Sequence, residues 1–207
     1  MKKIYKYLAI ATAAFSATIA AQAPTSAPAP VRKHEGLYLN AIGGLGTAGF
    51  YESSGTTSLL MTGFAFNYGA KLGAALSSNF VIFGAIDGFS ASNPTAKITS
   101  GSTTASGTLN NTTYSVFMYG AGLGYYADSN FFINLTAGLA KGSISSGTAT
   151  LSTESGFGAN MNIGQEWWVA SKFAIGVAAV AHYSNVKDGT VNASQYYIGI
   201  AVSATYN

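Results

Sequence analysis

The sequence contains no cysteine, few charges and, beyond its N-terminal segment, no long hydrophobic run. Without cysteine it can form neither a disulfide framework nor a thiolate metal site, and it cannot be a lipid-anchored lipoprotein. Charged residues make up 8% of the chain, against about 25% in typical soluble domains, so an ordinary soluble surface is disfavoured. No later stretch approaches the roughly 18 unbroken apolar residues that predict a membrane helix.

The chain is instead rich in hydrophobic residues (48%) and contains 25 glycines. A chain with little charge, much apolar content and no long apolar run fits one membrane architecture. That architecture is the β-barrel, whose strands alternate apolar side chains with small or polar ones.

The N-terminal segment has the organisation of a secretory signal peptide. Residues 1–6 are basic, residues 7–20 are apolar, and Ala21-Gln22-Ala23 matches an A-x-A cleavage site. The apolar part is too short for a membrane anchor, which needs about 20 residues. We therefore predict a cleaved signal over residues 1–23, with cleavage after Ala20 or after Ala23.

A linker is predicted over residues 24–35, on the periplasmic side. Its end, Arg32-Lys33-His34-Glu35, is expected to be a solvated charge run at the foot of the barrel. Three lysines leave with the signal, so the formal charge of +3 disappears and seven basic residues balance seven acidic ones. A neutral mature chain does not favour nucleic-acid binding.

The barrel itself is predicted over residues 36–207, where the hydrophobic pattern has period two. Eight segments have the length of strands, near residues 36–48, 58–76, 79–90, 113–127, 130–142, 155–169, 172–184 and 194–206. One face of these segments carries bulky apolar side chains, and the other carries glycine, alanine, asparagine or serine. The bulky residues selected as lipid-facing are Phe64, Phe66, Tyr68, Leu72, Phe117, Tyr119, Leu123, Ile198, Ile200 and Val202.

Two-faced strands could also build a soluble, lipocalin-like barrel with its apolar face inward. Such a barrel would show water a face of Gly, Ala, Asn and Ser with very few charges. It would also have to hold large aromatic side chains in an interior that eight strands leave narrow. We therefore predict the opposite orientation, with small and polar residues in the lumen and large apolar residues against lipid.

The predicted connections alternate in length. Three tight turns fall at Ser77–Asn79, Ala127–Ser129 and Ala170–Lys172, and long Ser/Thr/Gly/Asn-rich loops fall near 48–57, 91–112, 143–154 and 185–193. Outer-membrane barrels have short periplasmic turns and longer extracellular loops. This places both termini in the periplasm and predicts mobile loops outside, where they could bind an extracellular ligand.

Three segments resemble the OmpA/OmpX-like family of small outer-membrane barrels. Gly36–Gly46 is similar to the first strand of that family, and Ile163–Trp167 to a segment with an inward Glu beside an aromatic residue. Tyr197–Tyr206 resembles the C-terminal signal read by the barrel assembly machinery, with Gly199, Val202, Ala204 and Tyr206 as signal residues, although Asn207 follows the final aromatic. The resemblance implies an eight-stranded barrel in the bacterial outer membrane. Its implied partners are outer-membrane lipid, lipopolysaccharide and the assembly machinery.

Four titratable residues fall on the predicted lumen face, together with three asparagines: Lys71, Asp87, Glu166, His182, Asn67, Asn160 and Asn162. Pairing around the first tight turn sets Lys71 diagonal to Asp87, within reach of an ion pair. One interpretation is a polar plug whose charges neutralise one another. The alternative is a gate, in which breaking these pairs opens a narrow ion channel.

An enzyme is the third interpretation. His182-Tyr183-Ser184-Asn185 resembles the His-x-Ser-Asn segment of lipid A deacylases of the PagL type. Those enzymes also need a downstream acidic residue to orient the histidine, and Gln195 and Tyr196 stand there instead. We therefore predict no catalytic residue, no metal and no cofactor. The function we predict is structural and surface-contacting, in envelope integrity and adhesion, with the gated channel and the deacylase as alternatives.

Overall fold

The computed structural model describes residues 34–188 and 191–207, so the predicted signal and residues 24–33 of the linker lie outside the described residues. The described part is built from β-strands, and it contains no helix long and apolar enough to cross a membrane. The strands are β1 (Leu37–Ser54), β2 (Thr57–Ala75), β3 (Phe80–Ser92), β4 (Thr95–Ser100), β5 (Thr103–Thr108), β6 (Thr112–Tyr126), β7 (Phe131–Ser146), β8 (Ala149–Ser152), β9 (Gly156–Trp168), β10 (Phe173–Asp188) and β11 (Val191–Tyr206).

Eight of these strands close into an antiparallel barrel in the order β1-β2-β3-β6-β7-β9-β10-β11. The barrel closes where β1 pairs with β11 from Leu39 to Glu52. Directly paired residues followed round the wall from Leu39 lead back to β1 at Gly49, ten positions further along. This stagger tilts the strands relative to the barrel axis. The predicted eight-stranded antiparallel barrel is confirmed.

Bulky apolar side chains cover the outside of the barrel. Phe64 is 68% exposed and Ile200 is 63% exposed, although both are large and apolar. The other side chains selected as lipid-facing are also exposed: Phe66, Tyr68, Leu72, Phe117, Tyr119, Leu123, Ile198 and Val202. A protein in water would bury such a belt, whereas hydrocarbon solvates it. The chain is therefore a membrane-spanning barrel, which excludes the lipocalin-like arrangement.

The two ends of the barrel differ in their connections. At the periplasmic end, β2–β3, β6–β7 and β9–β10 are joined by four residues each. At the extracellular end the predicted long loops are wrong, because the strands continue as hydrogen-bonded hairpins. β1 and β2 remain paired up to Ser54 and Thr57, β4 and β5 form a hairpin against β2, and β8 pairs with β7.

Glycine makes three of these hairpin turns possible. Gly55, Gly101 and Gly147 each begin a two-residue turn and have φ values of 57°, 58° and 58°. Two-residue hairpin turns need positive φ, which glycine adopts without steric cost. Ser/Thr-rich segments that read as loops are thus strands joined by glycine turns.

The periplasmic foot also differs from the prediction. His34 is buried, with its ring 3.8 Å from the ring of Tyr126 and 5.4 Å from that of Trp168 (centroid distances). Glu35 is exposed. The predicted solvated run is therefore wrong at His34, because aromatic rings at the mouth of the barrel offer the imidazole an apolar contact surface.

Candidate functional site

The lumen contains a hydrogen-bonded relay that joins side chains of four strands. Lys71 Nζ donates to Asn40 Oδ1 at 3.2 Å, and Asn40 Nδ2 donates to Thr205 Oγ1 at 2.8 Å. Thr205 Oγ1 in turn donates to Glu166 Oε1 at 2.6 Å. All four side chains are buried. The two buried charges are thus connected through neutral hydrogen-bonding groups, which lowers the free-energy cost of removing each from water.

Glu166 reaches Thr205 because glycine occupies the strand between them. β10 lies between β9 and β11, and Gly176 is paired with Glu166 on one side and with Ser203 on the other. A Cβ at position 176 would lie 2.7 Å from Ser203 Oγ, 2.8 Å from the carbonyl oxygen of Gln165 and 2.9 Å from Glu166 Cγ. Because Gly176 has no side chain, the Glu166 side chain can pass over β10 on the inner surface of the barrel and reach Thr205.

Asp87 does not pair directly with Lys71. The register sets Lys71 opposite Ala85 and Asp87 opposite Gly69, so the two are diagonal neighbours. The Lys71 ammonium is bonded to Asn40 instead and lies 5.9 Å from the centre of the Phe83 ring. Asp87 Oδ2 has no hydrogen-bond partner among the described residues. The expected ion pair is therefore not formed, because Asn40 supplies an acceptor on the adjacent strand.

The extracellular half of the lumen is filled by aromatic rings. Phe89 stacks on Tyr197 at 5.6 Å and meets His182 edge-on at 5.3 Å (ring centroids). Tyr114 packs edge-on against both Phe89 and Phe50. Tyr197 also reaches Asn67, donating its hydroxyl to Asn67 Oδ1 at 2.9 Å. We call Phe50, Phe89, Tyr114, Tyr197 and His182 the upper cluster.

A second aromatic cluster closes the periplasmic end. The hydroxyls of Tyr38 and Tyr126 are 2.9 Å apart, and the Tyr126 ring stacks on Phe132 at 5.6 Å. His34 and Trp168 complete this lower cluster. The polar relay therefore lies between two layers of aromatic rings.

The expectation that large side chains would be absent from the lumen is wrong. Glycines make the room: a Cβ at Gly122 would meet the Phe83 ring, one at Gly199 would meet the Tyr197 ring, and one at Gly164 would come within 2.9 Å of Phe132. Small residues on the lumen face thus make room for large ones on the same strand or on a neighbouring strand. Sequence alternation shows both kinds, but it does not show that they interlock.

Asn160 and Asn162 line the lumen wall on β9. Asn160 is directly opposite Thr136 on β7 and His182 on β10, and Asn162 is opposite Asn134. Oxygens of these three asparagines and of Thr136 have no hydrogen-bond partner among the described residues. Buried polar groups of this kind are normally satisfied by ordered water. This side of the lumen is therefore polar along its height.

His182 and Ser184 do not form a base–nucleophile pair. Ser184 Oγ donates to Gln195 Oε1 at 2.9 Å, and neither nitrogen of His182 has a hydrogen-bond partner among the described residues. Both side chains are buried in the lumen, away from lipid. A nucleophilic serine needs a base within hydrogen-bond reach. The arrangement that a deacylase requires is not present in this part of the chain.

The structure thus brings Lys71 and Glu166 together through Asn40 and Thr205, and it separates them from His182. Neither Asn40 nor Thr205 was selected from the sequence. Alternation could have identified them, because it places Asn40 on the lumen face of β1 and Thr205 on the lumen face of β11. In the described ranges, no group of three or more His, Cys, Asp or Glu side chains is placed to hold a metal ion.

The extracellular hairpins present an exposed surface with few charges. All six residues of β5 are exposed, and five of them are threonine, serine or glycine. Ile98 and Leu151 add exposed apolar side chains. The C-terminal strand shows its bulky side to lipid, with Val202 and Tyr206 exposed, whereas Gly199 belongs to the lumen face.

No protein-family model matches the chain, and no curated protein matches it in sequence. Solved structures with a similar fold include Neisserial surface protein A, with a TM-score of 0.52 and 14% identity over 81% of this chain and 95% of that one. Ail, the attachment invasion locus protein of Yersinia pestis, has a TM-score of 0.41 and 16% identity over 82% and 99% of the two chains. Outer membrane protein OprG from Pseudomonas aeruginosa has a TM-score of 0.41 and 10% identity over 84% and 98%. At these identities the similarity concerns architecture alone, and the chain has the fold of the small outer-membrane β-barrels.

Proposed function

We propose that this protein is a non-catalytic outer-membrane barrel that supports envelope integrity and makes surface contacts through its extracellular hairpins. The observation that carries the proposal is the filled lumen. Two aromatic clusters and the relay between them occupy the interior, so the barrel is a rigid support for the extracellular hairpins. An eight-stranded barrel leaves an interior that side chains fill.

The hairpins supply the contact surface. Each is hydrogen-bonded to the barrel wall, because β1–β2 and β10–β11 are continuous with it, β4 pairs with β2, and β8 pairs with β7. An ordered surface loses less conformational entropy on binding than a mobile loop. Exposed hydroxyls of threonine and serine then favour a partner recognised by hydrogen bonds more than by charge.

Insertion into the membrane is proposed to depend on the assembly machinery, which would read the outward face of β11. Val202, Ala204 and Tyr206 alternate along that face. The position of Asn207 after Tyr206 does not disturb this alternation. The lipid and lipopolysaccharide of the outer membrane are the proposed surroundings of the belt.

A hairpin deletion tests the surface role. We would replace residues 95–108, the β4–β5 hairpin, by a two-residue turn and express both proteins in a Gram-negative host that lacks the chain. Heat-modifiable migration on gels checks that the barrel has formed. We expect cells with the shortened protein to adhere less to host-cell layers while resisting detergent as well as wild type. Equal adhesion of both strains would contradict the surface role of this hairpin.

Two further measurements separate the alternatives. Planar bilayers containing the purified protein should show no discrete conductance, since the lumen is filled, and Lys71→Met should not change this. Opening steps that disappear in Lys71→Met would support the channel instead. Fatty-acid release from lipid A should also be absent, and release that is lost in His182→Ala would support the deacylase.

A further inference from the structure

The outward face of the barrel carries two charges in the described residues. Along the described parts of the eight barrel strands, outward-facing positions are uncharged except at Lys141 on β7 and Lys187 on β10. Lys71, Asp87 and Glu166 on the same strands point into the lumen. Both outward charges are therefore positive, and both lie on one side of the barrel.

The register sets the two lysines on either side of one point of the chain. Leu139 on β7 and Asn185 on β10 both pair with Phe157 on β9. Lys141 and Lys187 each lie two residues further toward the extracellular end, on either side of the chain just before β9. Neighbouring strands are about 4.8 Å apart, so their backbones are about 10 Å apart across β9. Both side chains are exposed.

The surface below Lys141 is apolar. Lys141 is directly opposite Phe117, and Phe117, Leu139 and Phe157 are all exposed on the same wall. The surface above is polar: Ser143 follows Lys141 on the outward face and pairs with Ser115, which shares a 2.9 Å hydrogen bond with Ser90. Lys141 thus lies where the hydrocarbon belt ends, and the stagger of the strands sets Lys187 somewhat further toward the extracellular side. Lysine near such a boundary extends its ammonium into the headgroup layer.

We propose that Lys141 and Lys187 bind phosphate groups of an outer-leaflet lipid, with its acyl chains lying against Phe117, Leu139 and Phe157. Charge complementarity selects this occupant, because two ammonium groups at headgroup level attract anionic phosphates. Their spacing suits a headgroup with two phosphates better than one with a single phosphate. The wall formed by β1, β2 and β11 has no outward charge among its described residues and should show no such preference.

Glu154 is the acidic residue to account for at this corner. It is exposed in the segment before β9, and its backbone N–H donates to the carbonyl of Lys187 at 2.8 Å. Its carboxylate opposes an anionic ligand. Glu154→Gln should therefore strengthen phosphate binding, whereas loss of a lysine should weaken it.

The test compares lipids and charges on the purified protein in detergent. Native mass spectrometry would measure binding of bisphosphorylated lipid A, phosphatidic acid, phosphatidylcholine and inorganic phosphate. We expect lipid A to bind best, and phosphatidylcholine and free phosphate to bind weakly. At about 1 kcal/mol for each lysine near a charged surface, Lys141→Gln should weaken lipid A binding about fivefold and the double variant with Lys187→Gln about thirtyfold.

Lys172→Gln is the matched control. It removes the same charge, but from an exposed lysine in a periplasmic turn. It should leave lipid A binding unchanged. The proposal is overturned if the double variant binds lipid A as well as wild type, if Lys172→Gln weakens binding equally, or if phosphatidylcholine binds as tightly as lipid A. None of these results depends on the proposed surface-contact role.

Discussion

Replacing Gly176 with alanine should destabilise the barrel by closing the path of Glu166 to Thr205. The added methyl group would lie 2.8 Å from the carbonyl oxygen of Gln165, which belongs to the wall and cannot turn away. It would also lie 2.9 Å from Glu166 Cγ. Either the strand shifts or Glu166 withdraws, and withdrawal breaks the 2.6 Å bond from Thr205.

The expected loss follows from these two contributions. Overpacking of a tight interior costs about 1–3 kcal/mol, and a hydrogen bond to a charged group contributes about 1.5–3 kcal/mol. Because relaxation trades one against the other, we expect Gly176→Ala to lower the free energy of unfolding by about 2–4 kcal/mol. Gly84→Ala is the matched control: its Cβ would face lipid with no heavy atom closer than 3.9 Å. It should be neutral or stabilise by about 0.5–1 kcal/mol, as alanine restricts the unfolded chain more than glycine.

Urea unfolding of the refolded barrel in lipid vesicles, followed by tryptophan fluorescence, measures both variants. The heat-modifiable gel band reports whether each one folds at all. Gly176→Ala and Gly84→Ala should move the unfolding midpoint in opposite directions. If the two midpoints coincide, the absence of a side chain at position 176 is not what admits Glu166, and the account of the relay is refuted.

Three further predictions follow from the same structure. Tyr197→Phe should lower the free energy of unfolding by about 1–3 kcal/mol, because it leaves the buried amide oxygen of Asn67 unpaired. Tyr196→Phe, at the next and outward-facing position, should change it by less than about 0.5 kcal/mol. Equal effects in urea unfolding would contradict the assigned faces. Burial lowers the pKa of His34 below its ordinary 6.5. The buried neutral imidazole therefore stabilises the fold fully above about pH 6.5, and this stabilisation declines as the pH falls. The urea midpoint of the wild type should drop between about pH 7.5 and about pH 5, and that of His34→Phe should drop less. Phe66→Arg should disfavour insertion by about 2–4 kcal/mol, because it places a charge in hydrocarbon. Thr104→Arg, on the exposed strand β5, should insert normally. Equal losses in the yield of insertion into vesicles would argue against a lipid-facing apolar belt.

The eight barrel strands could be predicted because lipid imposes a strict alternation on them. Phe64, Phe66 and Leu72 must be apolar where they meet hydrocarbon, and the residues between them must be small or polar. Each segment therefore carries its own period-two signal, and the predicted limits at the periplasmic end differ from the structure by at most one residue. Above the membrane both faces of a strand meet water, so the signal disappears. This is why β4, β5 and β8 were predicted to be loops.

The lumen contacts could not be predicted for a different reason. Alternation assigns Lys71 and Asp87 to one face, but partners across a narrow interior depend on the stagger of the strands and on where glycine leaves room. Asn40 displaces Asp87 as the partner of Lys71 because it lies directly opposite on β1. The link from Glu166 to Thr205 passes over Gly176. Sequence alternation assigns this glycine to the lumen face but does not distinguish it from the other small residues there.

The two-residue hairpin turns have a consequence for how this protein can change in evolution. Inserting one residue inside a barrel strand would exchange the hydrocarbon and lumen sides for every position beyond it. A hairpin tip tolerates growth, provided that residues are added in matched numbers to its two arms. Homologous barrels should therefore differ in length mainly beyond Gly55, Gly101 and Gly147. New surface specificity can arise there without any rearrangement of the interior.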